Sequence, residues 1–230
     1  NQRTLKRFNL KFQLIKKMDK KISECDFVVI CAPLSEYQRI FSLCNKHLKK
    51  NVVVTDVGST KKSIITKINK IKRKDINWIS SHPIAGSEVS GPSNGDEDLF
   101  INKWSVIIKQ KNSSNSQMKK IMKFWKFLGS KSVIMDADQH DKIFAITSHL
   151  PHLIAYNLIL TATNFKSSNK NNILKFSAGG LRDFSRIAAS NEIMWRDIFF
   201  NNKNNISKAI DLFIKNLTAF KKDINLKNNK

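Results

Sequence analysis

Between residues 26 and 136, short apolar runs alternate with stretches whose apolar residues recur at helical spacing. FVVICA (27–32) is a continuous, β-branched run, the pattern of a strand buried on both faces. EYQRIFSLCNKHL (36–48) follows, with Tyr37, Ile40, Phe41, Cys44 and Leu48 along one helical face. NVVVTD (51–56) predicts a second strand, then a Gly58-Ser59 turn and a helix from Lys61. INWIS (76–80), WSVIIK (104–109) and KSVIMD (131–136) predict three more strands, with a helix near 117–128 between the last two. Strands alternating with helices imply a doubly wound α/β sheet.

Past residue 136 the strand-like runs stop. A helix is expected over 137–163, kinked at Pro151, which lacks the N–H its turn needs. KSSNKNNILK (166–175) has the composition of a surface turn. NEIMWRDIFFNN (191–202) and NISKAIDLFIKNLTAF (205–220) read as two further helices. The last carries Ile206, Ile210, Phe213, Leu217 and Phe220 on one stripe, which packing within the chain or a dimer interface would cover. The expected domains are 1–136, α/β, and 137–230, all helical.

Composition narrows the classes. The chain has 230 residues, 41% of them hydrophobic, so it can build real cores. Its net charge of +23 raises nucleic acid as a partner. Only seven of the 41 basic residues are Arg, the Lys are dispersed, and no finger or aromatic-basic repeat occurs, so they read as solvated faces. A positive field would still attract small anionic substrates. Cys25, Cys31 and Cys44 form no disulfide framework, which suits a reducing, cytoplasmic setting. No signal peptide is visible, and the longest apolar run, FVVICAPL, is too short to span a bilayer, so no membrane partner is expected.

Ligands of open α/β sheets sit beyond the carboxyl ends of strands, where CAPLSEY, DVGSTKKS and SHPIAGSE fall. GSTKKS does not satisfy the phosphate-loop pattern; Ser59 or Thr60 is expected instead to cap the next helix, whose first amides favour an anion. SSHPIAGSEVSGP (80–92) has no Lys or Arg and the composition of a shaped loop, not of a regular helix or strand. Its His82 suits general-base work near neutral pH, and Glu88 could orient it or bind substrate. In SHLPH (148–152), His149 and His152 share a helix face. No ligand set for a metal accompanies them, so contact with substrate or cofactor fits better. In GGLRDFSRIAAS (179–190), Arg182 and Arg186 begin a cluster with Arg196 suited to gripping a carboxylate, unless Asp183 and Asp197 neutralise them.

Six motifs in order, DFVVICAPLSEY, VVTDVGSTK, HPIAGSEVSGP with Leu99-Phe100, HDKIFAITSHLPHLIAYNL and GGLRDFSRIAASNEIMWRDIFFNN, resemble the prephenate/arogenate dehydrogenases of tyrosine biosynthesis. The resemblance implies a Rossmann-like NAD(P)-binding domain followed by an all-α dimerisation domain, a homodimer, and NAD or NADP as cofactor. It implies oxidative decarboxylation of prephenate or arogenate to 4-hydroxyphenylpyruvate or tyrosine. By position His82 matches the catalytic base, and Ser59 the residue orienting the substrate hydroxyl. Arg186, His149, His152, Glu88 and Ser87 fall at substrate positions, and Ala32, Pro33, Asp56 and Val57 at cofactor positions.

The chain departs from this pattern in having no G-x-G-x-x-G, whose glycines let a backbone approach a pyrophosphate. The family pattern would put the first βα unit upstream of Asn1, so the 230 residues are expected to bind the dinucleotide poorly alone, or to be an inactive fragment. A short helix around 4–8 and a Lys-rich connection are expected in its place, with Arg3 a hint of a cofactor phosphate. The rival layout of β-hydroxyacid dehydrogenases uses a catalytic Lys in the helical domain and lacks HPxAGxE with SHLPH.

Overall fold

The computed structural model describes residues 20–86, 91–111, 113–165 and 173–227. Arg3, the helix expected around 4–8, Ser87, Glu88 and most of the 166–175 turn lie outside the described residues. The chain divides into two compact units, the first ending at His140 and the second beginning at Asp141.

In the first unit, strands β1 (Phe27–Ile30), β2 (Val53–Asp56) and β3 (Asn77–Trp78) pair in parallel, in that order. Strands β4 (Ser81–Pro83), β5 (Trp104–Ile108) and β6 (Lys131–Met135) form a second ladder. There β4 runs antiparallel to β5, and β5 parallel to β6. Two backbone bonds carry pairing across the gap between β3 and β4: Ile79 N–H donates to Val54, and Ile108 N–H to Ser80. Residues 77–83 thus act as one interrupted strand, parallel to β2 at its start and antiparallel to β5 at its end. SSHPIAGSEVSGP is therefore not irregular throughout, as its composition suggested. Pro83 is tolerated because it closes the strand, where no ladder donor is needed from it.

Helices α1 (Tyr37–Asn45), α2 (Lys62–Ile71) and α3 (Asn115–Phe127) bury the stripes read from their spacing. Met118, Ile121 and Trp125 of α3 pack on Val53, Ile79 and Ile107 of the sheet. Phe41 of α1 meets Trp78 edge to face at 5.4 Å. Side chains buried this fully each contribute about 1.5–3 kcal/mol.

The helix expected over 137–163 is continuous but not regular. Its first part, α4 (Ala137–Phe144), passes through a π-helical turn, Ala145–His149, into α5 (Leu150–Asn164). The distortion lies in the turn before Pro151, where the ring displaces the carbonyl four residues back and the wider turn relieves the clash.

The second unit adds α6 (Gly179–Ala188), α7 (Glu192–Asn201) and α8 (Lys203–Asn225). Helix α5 packs on α6 and α8, and α7 on α8. Of the α8 stripe, Ile206 is buried but Leu217 and Phe220 are 56% and 67% exposed. The stretch 137–164 also meets the length and composition of a membrane span, with only 22% of its most apolar part buried. Scanning for unbroken apolar runs overlooked this because single polar residues interrupt it.

Candidate active site

Three strand ends supply the first unit's candidates. After β1, Cys31 and Pro33 are exposed and Ala32 is half-buried. After β2, Val57 and Ser59 are half-buried, while Asp56, Gly58 and Thr60 are buried. On β4, His82 is half-buried.

A buried ion pair ties two of these ends together. Lys61 and Asp56 have no exposed side-chain surface, and Lys61 Nζ donates to Asp56 Oδ2 at 2.7 Å. The same ammonium donates to Ser80 Oγ at 3.1 Å and to the Ser81 carbonyl at 2.6 Å. Its three hydrogens are thereby all used. Asp56 also accepts from Ser80 Oγ at 2.5 Å and from Gly58 N–H at 3.0 Å. Ser81 Oγ donates to the Asp56 carbonyl at 2.8 Å and accepts from Trp125 Nε1 at 3.0 Å. The turn bearing Ser59 and the strand bearing His82 are therefore held by one saturated network. Its field, together with burial, pushes the Tyr37 hydroxyl well above the ordinary tyrosine range, burial being the larger cause. Burial, then the Asp56 charge, also raises the Cys31 thiol.

Two expectations change here. Neither Ser59 nor Thr60 caps α2: Lys61 occupies the capping position, and no side-chain cap bond forms. The Lys61 side chain is drawn into the protein instead, which moves the helix start past both hydroxyls. Asp56, expected to meet the cofactor, has its carboxylate turned inward. Gly58 explains the tight turn. A Cβ there would lie 2.7 Å from Leu34 Cδ2 and 3.1 Å from Asp56 Oδ2, so the residue is needed for space.

His82 Nδ1 faces His140 Nε2 at 2.8 Å, and the His140 side chain is fully buried. Sequence reasoning missed His140. Its partner is 58 residues away, and nothing local marks a histidine on an amphipathic helix as different from a core one.

In the second unit, His149 and His152 flank Trp195. His152 stacks on the indole with centroids 3.6 Å apart, and His149 lies edge-on at 6.2 Å. His152 Nδ1 meets the Ser148 carbonyl at 2.9 Å. A carbonyl only accepts, so Nδ1 carries the hydrogen. His149 has the other arrangement. Asn202 Oδ1 accepts from Asn205 Nδ2 at 2.8 Å, and Asn202 Nδ2 donates to the Asp141 carbonyl at 2.7 Å. These two bonds fix the amide, so its second N–H points at His149 Nδ1, 3.1 Å away. His149 therefore accepts at Nδ1 and carries its hydrogen on Nε2. The pair was expected to present both imidazoles to a crevice; His149 is instead fully buried, with its Nδ1 edge engaged by Asn202. Neither Asn202 nor Trp195 was singled out from the sequence, since each lies more than forty residues from the histidine it touches.

Arg186 sits exposed on α6. Arg196 pairs with Asp197 at 2.8 Å, so the neutralising partner considered for the cluster is realised there.

The residues present suit part of a dinucleotide site. Ala32, Pro33 and Val57 make an uncharged, partly exposed ledge at two strand ends, and Asp56, the acid beside them, is internally neutralised. No G-x-G-x-x-G turn for a pyrophosphate occurs in the sequence. A separate hollow of about 550 Å³ by β3, lined by Asn69, Lys72, Trp78, Gln110 and neighbours, contains none of the candidate residues.

Residues 1–134 match the family described as "Prephenate dehydrogenase, nucleotide-binding domain". Residues 136–230 match that described as "Prephenate dehydrogenase, dimerization domain". A cyclohexadienyl dehydrogenase of Zymomonas mobilis is 33% identical over 196 residues, which cover 85% of this chain and 67% of the relative. A prephenate dehydrogenase of Bacillus subtilis is 28% identical over 197 residues, covering 85% and 53%. The chain thus spans between half and two thirds of these curated relatives. The crystal structure of prephenate dehydrogenase from A. aeolicus with hydroxyphenyl propionate and NAD+ aligns at a TM-score of 0.87. It is 31% identical, with 94% of this chain and 75% of that one covered. A Synechocystis arogenate dehydrogenase, 22% identical, shares the fold at a TM-score of 0.78 over 91% of this chain and 75% of that one.

Proposed function

Because the chain belongs to the prephenate dehydrogenase family, we propose that it oxidatively decarboxylates prephenate or arogenate in tyrosine biosynthesis, with NAD or NADP as cofactor. The observation that carries this reading is His82, an imidazole held at a strand end by a buried network and backed by His140. Taking a hydride from a carbinol carbon requires its hydroxyl to lose a proton, and an imidazole is suited to accept one near neutral pH. When bound, the nicotinamide supplies the hydride acceptor.

The chain's own residues do the rest. His82 takes the hydroxyl proton as the C–O bond becomes a carbonyl. The ring carboxylate then leaves as CO₂, and its bonding electrons make the ring aromatic. Ser59 orients the hydroxyl. Arg186 grips a substrate carboxylate, because its planar fork matches that anion. His149 and His152 contact the substrate, with Ser87 and Glu88 at the pocket's edge. Ala32, Pro33, Asp56 and Val57 line the cofactor, Asp56 through the turn it shapes. The exposed apolar faces of α5 and α8 pair two copies of the chain, consistent with the dimerization family they match. Free cysteines suit a cytoplasmic enzyme.

The test is formation of reduced nicotinamide with each substrate and each cofactor. His82→Asn is expected to lower kcat by about 10²–10⁴-fold with little change in KM. Arg186→Ala is expected chiefly to raise the substrate KM. Small, equal effects of both would overturn the assignment.

A further inference from the structure

We infer that His140 is a positioning residue for the base: its Nε2 accepts a hydrogen bond from His82 Nδ1–H and so sets the tautomer in which His82 can receive a proton at Nε2. The inference deepens the reading of His82 as the base and rests on it.

Two imidazole nitrogens 2.8 Å apart can hold only one hydrogen between them. If His140 were the donor, neutral His82 would carry its own hydrogen on Nε2 and could not take another at that atom. If His140 accepts, the hydrogen lies on His82 Nδ1, the Nε2 lone pair is available for the substrate proton, and His140 carries its hydrogen on Nδ1. Only the second arrangement is compatible with proton uptake at Nε2. When that proton arrives, His82 becomes an imidazolium. The bond to the neutral His140 nitrogen then becomes charge-assisted and stronger. His140 thus favours the state formed during the reaction over the resting one, which is the condition for raising kcat.

The geometry suits a positioning role. The two rings are inclined at 60° with centroids 5.0 Å apart, an in-line approach of nitrogens and not a stack. His140 is fully buried and lies on α4, whose backbone holds it through its N–H to the Asp136 carbonyl at 3.0 Å. His82 is fixed from the other side by β4 pairing and by the Lys61 bonds to Ser80 and Ser81. Neither ring can relax far without breaking these contacts, so the direction of one hydrogen bond selects the chemistry.

The test combines nitrogen-15 spectroscopy of the resting chain with kinetics. In the unmodified protein His82 is expected as the Nδ1–H tautomer. In His140→Leu that preference is lost, and kcat falls about tenfold to a hundredfold, the worth of a hydrogen bond to a charged group. The substrate and cofactor KM values change less than about twofold, since nothing bound is touched. His140→Gln, whose amide oxygen can accept at the same place, is expected to recover most of the lost rate. An Nε2–H tautomer in the unmodified protein would overturn the inference, as would Gln no better than Leu at equal melting temperature. Full turnover in His82→Asn would remove the base assignment itself. Full turnover in His140→Leu, with His82→Asn inactive, would remove only the role of His140.

Discussion

The ammonium of Lys61 lies 2.7 Å from the Asp56 carboxylate, and neither side chain has exposed surface. Charges leave water at high cost, and the loss is offset here because every hydrogen of the ammonium finds an oxygen. The pair sits between the turn carrying Ser59 and the strand carrying His82, so its value is geometric as much as energetic.

Removing one partner leaves the other charge buried. Lys61→Met is expected to destabilise the protein by about 3–5 kcal/mol, read from urea denaturation. Adding Asp56→Asn should recover part of that loss, giving a clear coupling in a double-mutant cycle. Simple additivity of the two changes would show that the pair does not act as a unit.

Tyr37 makes the first unit sensitive to alkali. Its hydroxyl is held protonated in the folded protein by burial and by the Asp56 charge. A raised value in the folded state gives stability that is complete below the unfolded value and lost as pH rises past it. Melting temperature should therefore fall above about pH 10, and Tyr37→Phe should flatten that fall. An unchanged slope in the variant would assign the alkaline loss to other groups.

Asn202 holds the hydrogen of His149 on Nε2. Asn202→Asp replaces a donor by an acceptor at nearly constant shape, so His149 is expected to move its hydrogen to Nδ1, visible in nitrogen-15 spectra. If His149 contacts the substrate, KM should rise more than kcat falls. Retention of the Nε2–H form would show that some other contact sets this tautomer.

The exposed end of α8 should close an oligomer. Phe220→Asp and Leu217→Asp together put two charges where apolar side chains are 67% and 56% exposed. Light scattering is expected to find a dimer for the parent chain and a monomer for the variant, with helicity kept. A dimer in both would move the interface elsewhere.

The elements of the first unit were legible because its strands are buried runs and its helices carry regular stripes. Asn77–Trp78 and Ser81–Pro83 were not separable by pattern, since the break between them comes from a change of partner strand. His82 stood out in a segment free of Lys and Arg. Lys61 did not, because it looks like the solvated lysines around it, and only the fold encloses it. Arg186 was read from a local cluster, whereas His140 and Asn202 owe their importance to side chains 58 and 53 residues away.

The widened turn at Ala145–His149 also sets an angular phase. Each α-helical residue advances about 100° around the axis, and a π-turn absorbs one residue more than a regular turn would. Excising a single residue there would leave a smoother helix, yet it would rotate His152 off the Trp195 indole and carry the whole of α5 round with it. Regularity and registry are opposed at this point in the chain, and the irregular helix is the one that keeps the imidazole on its indole.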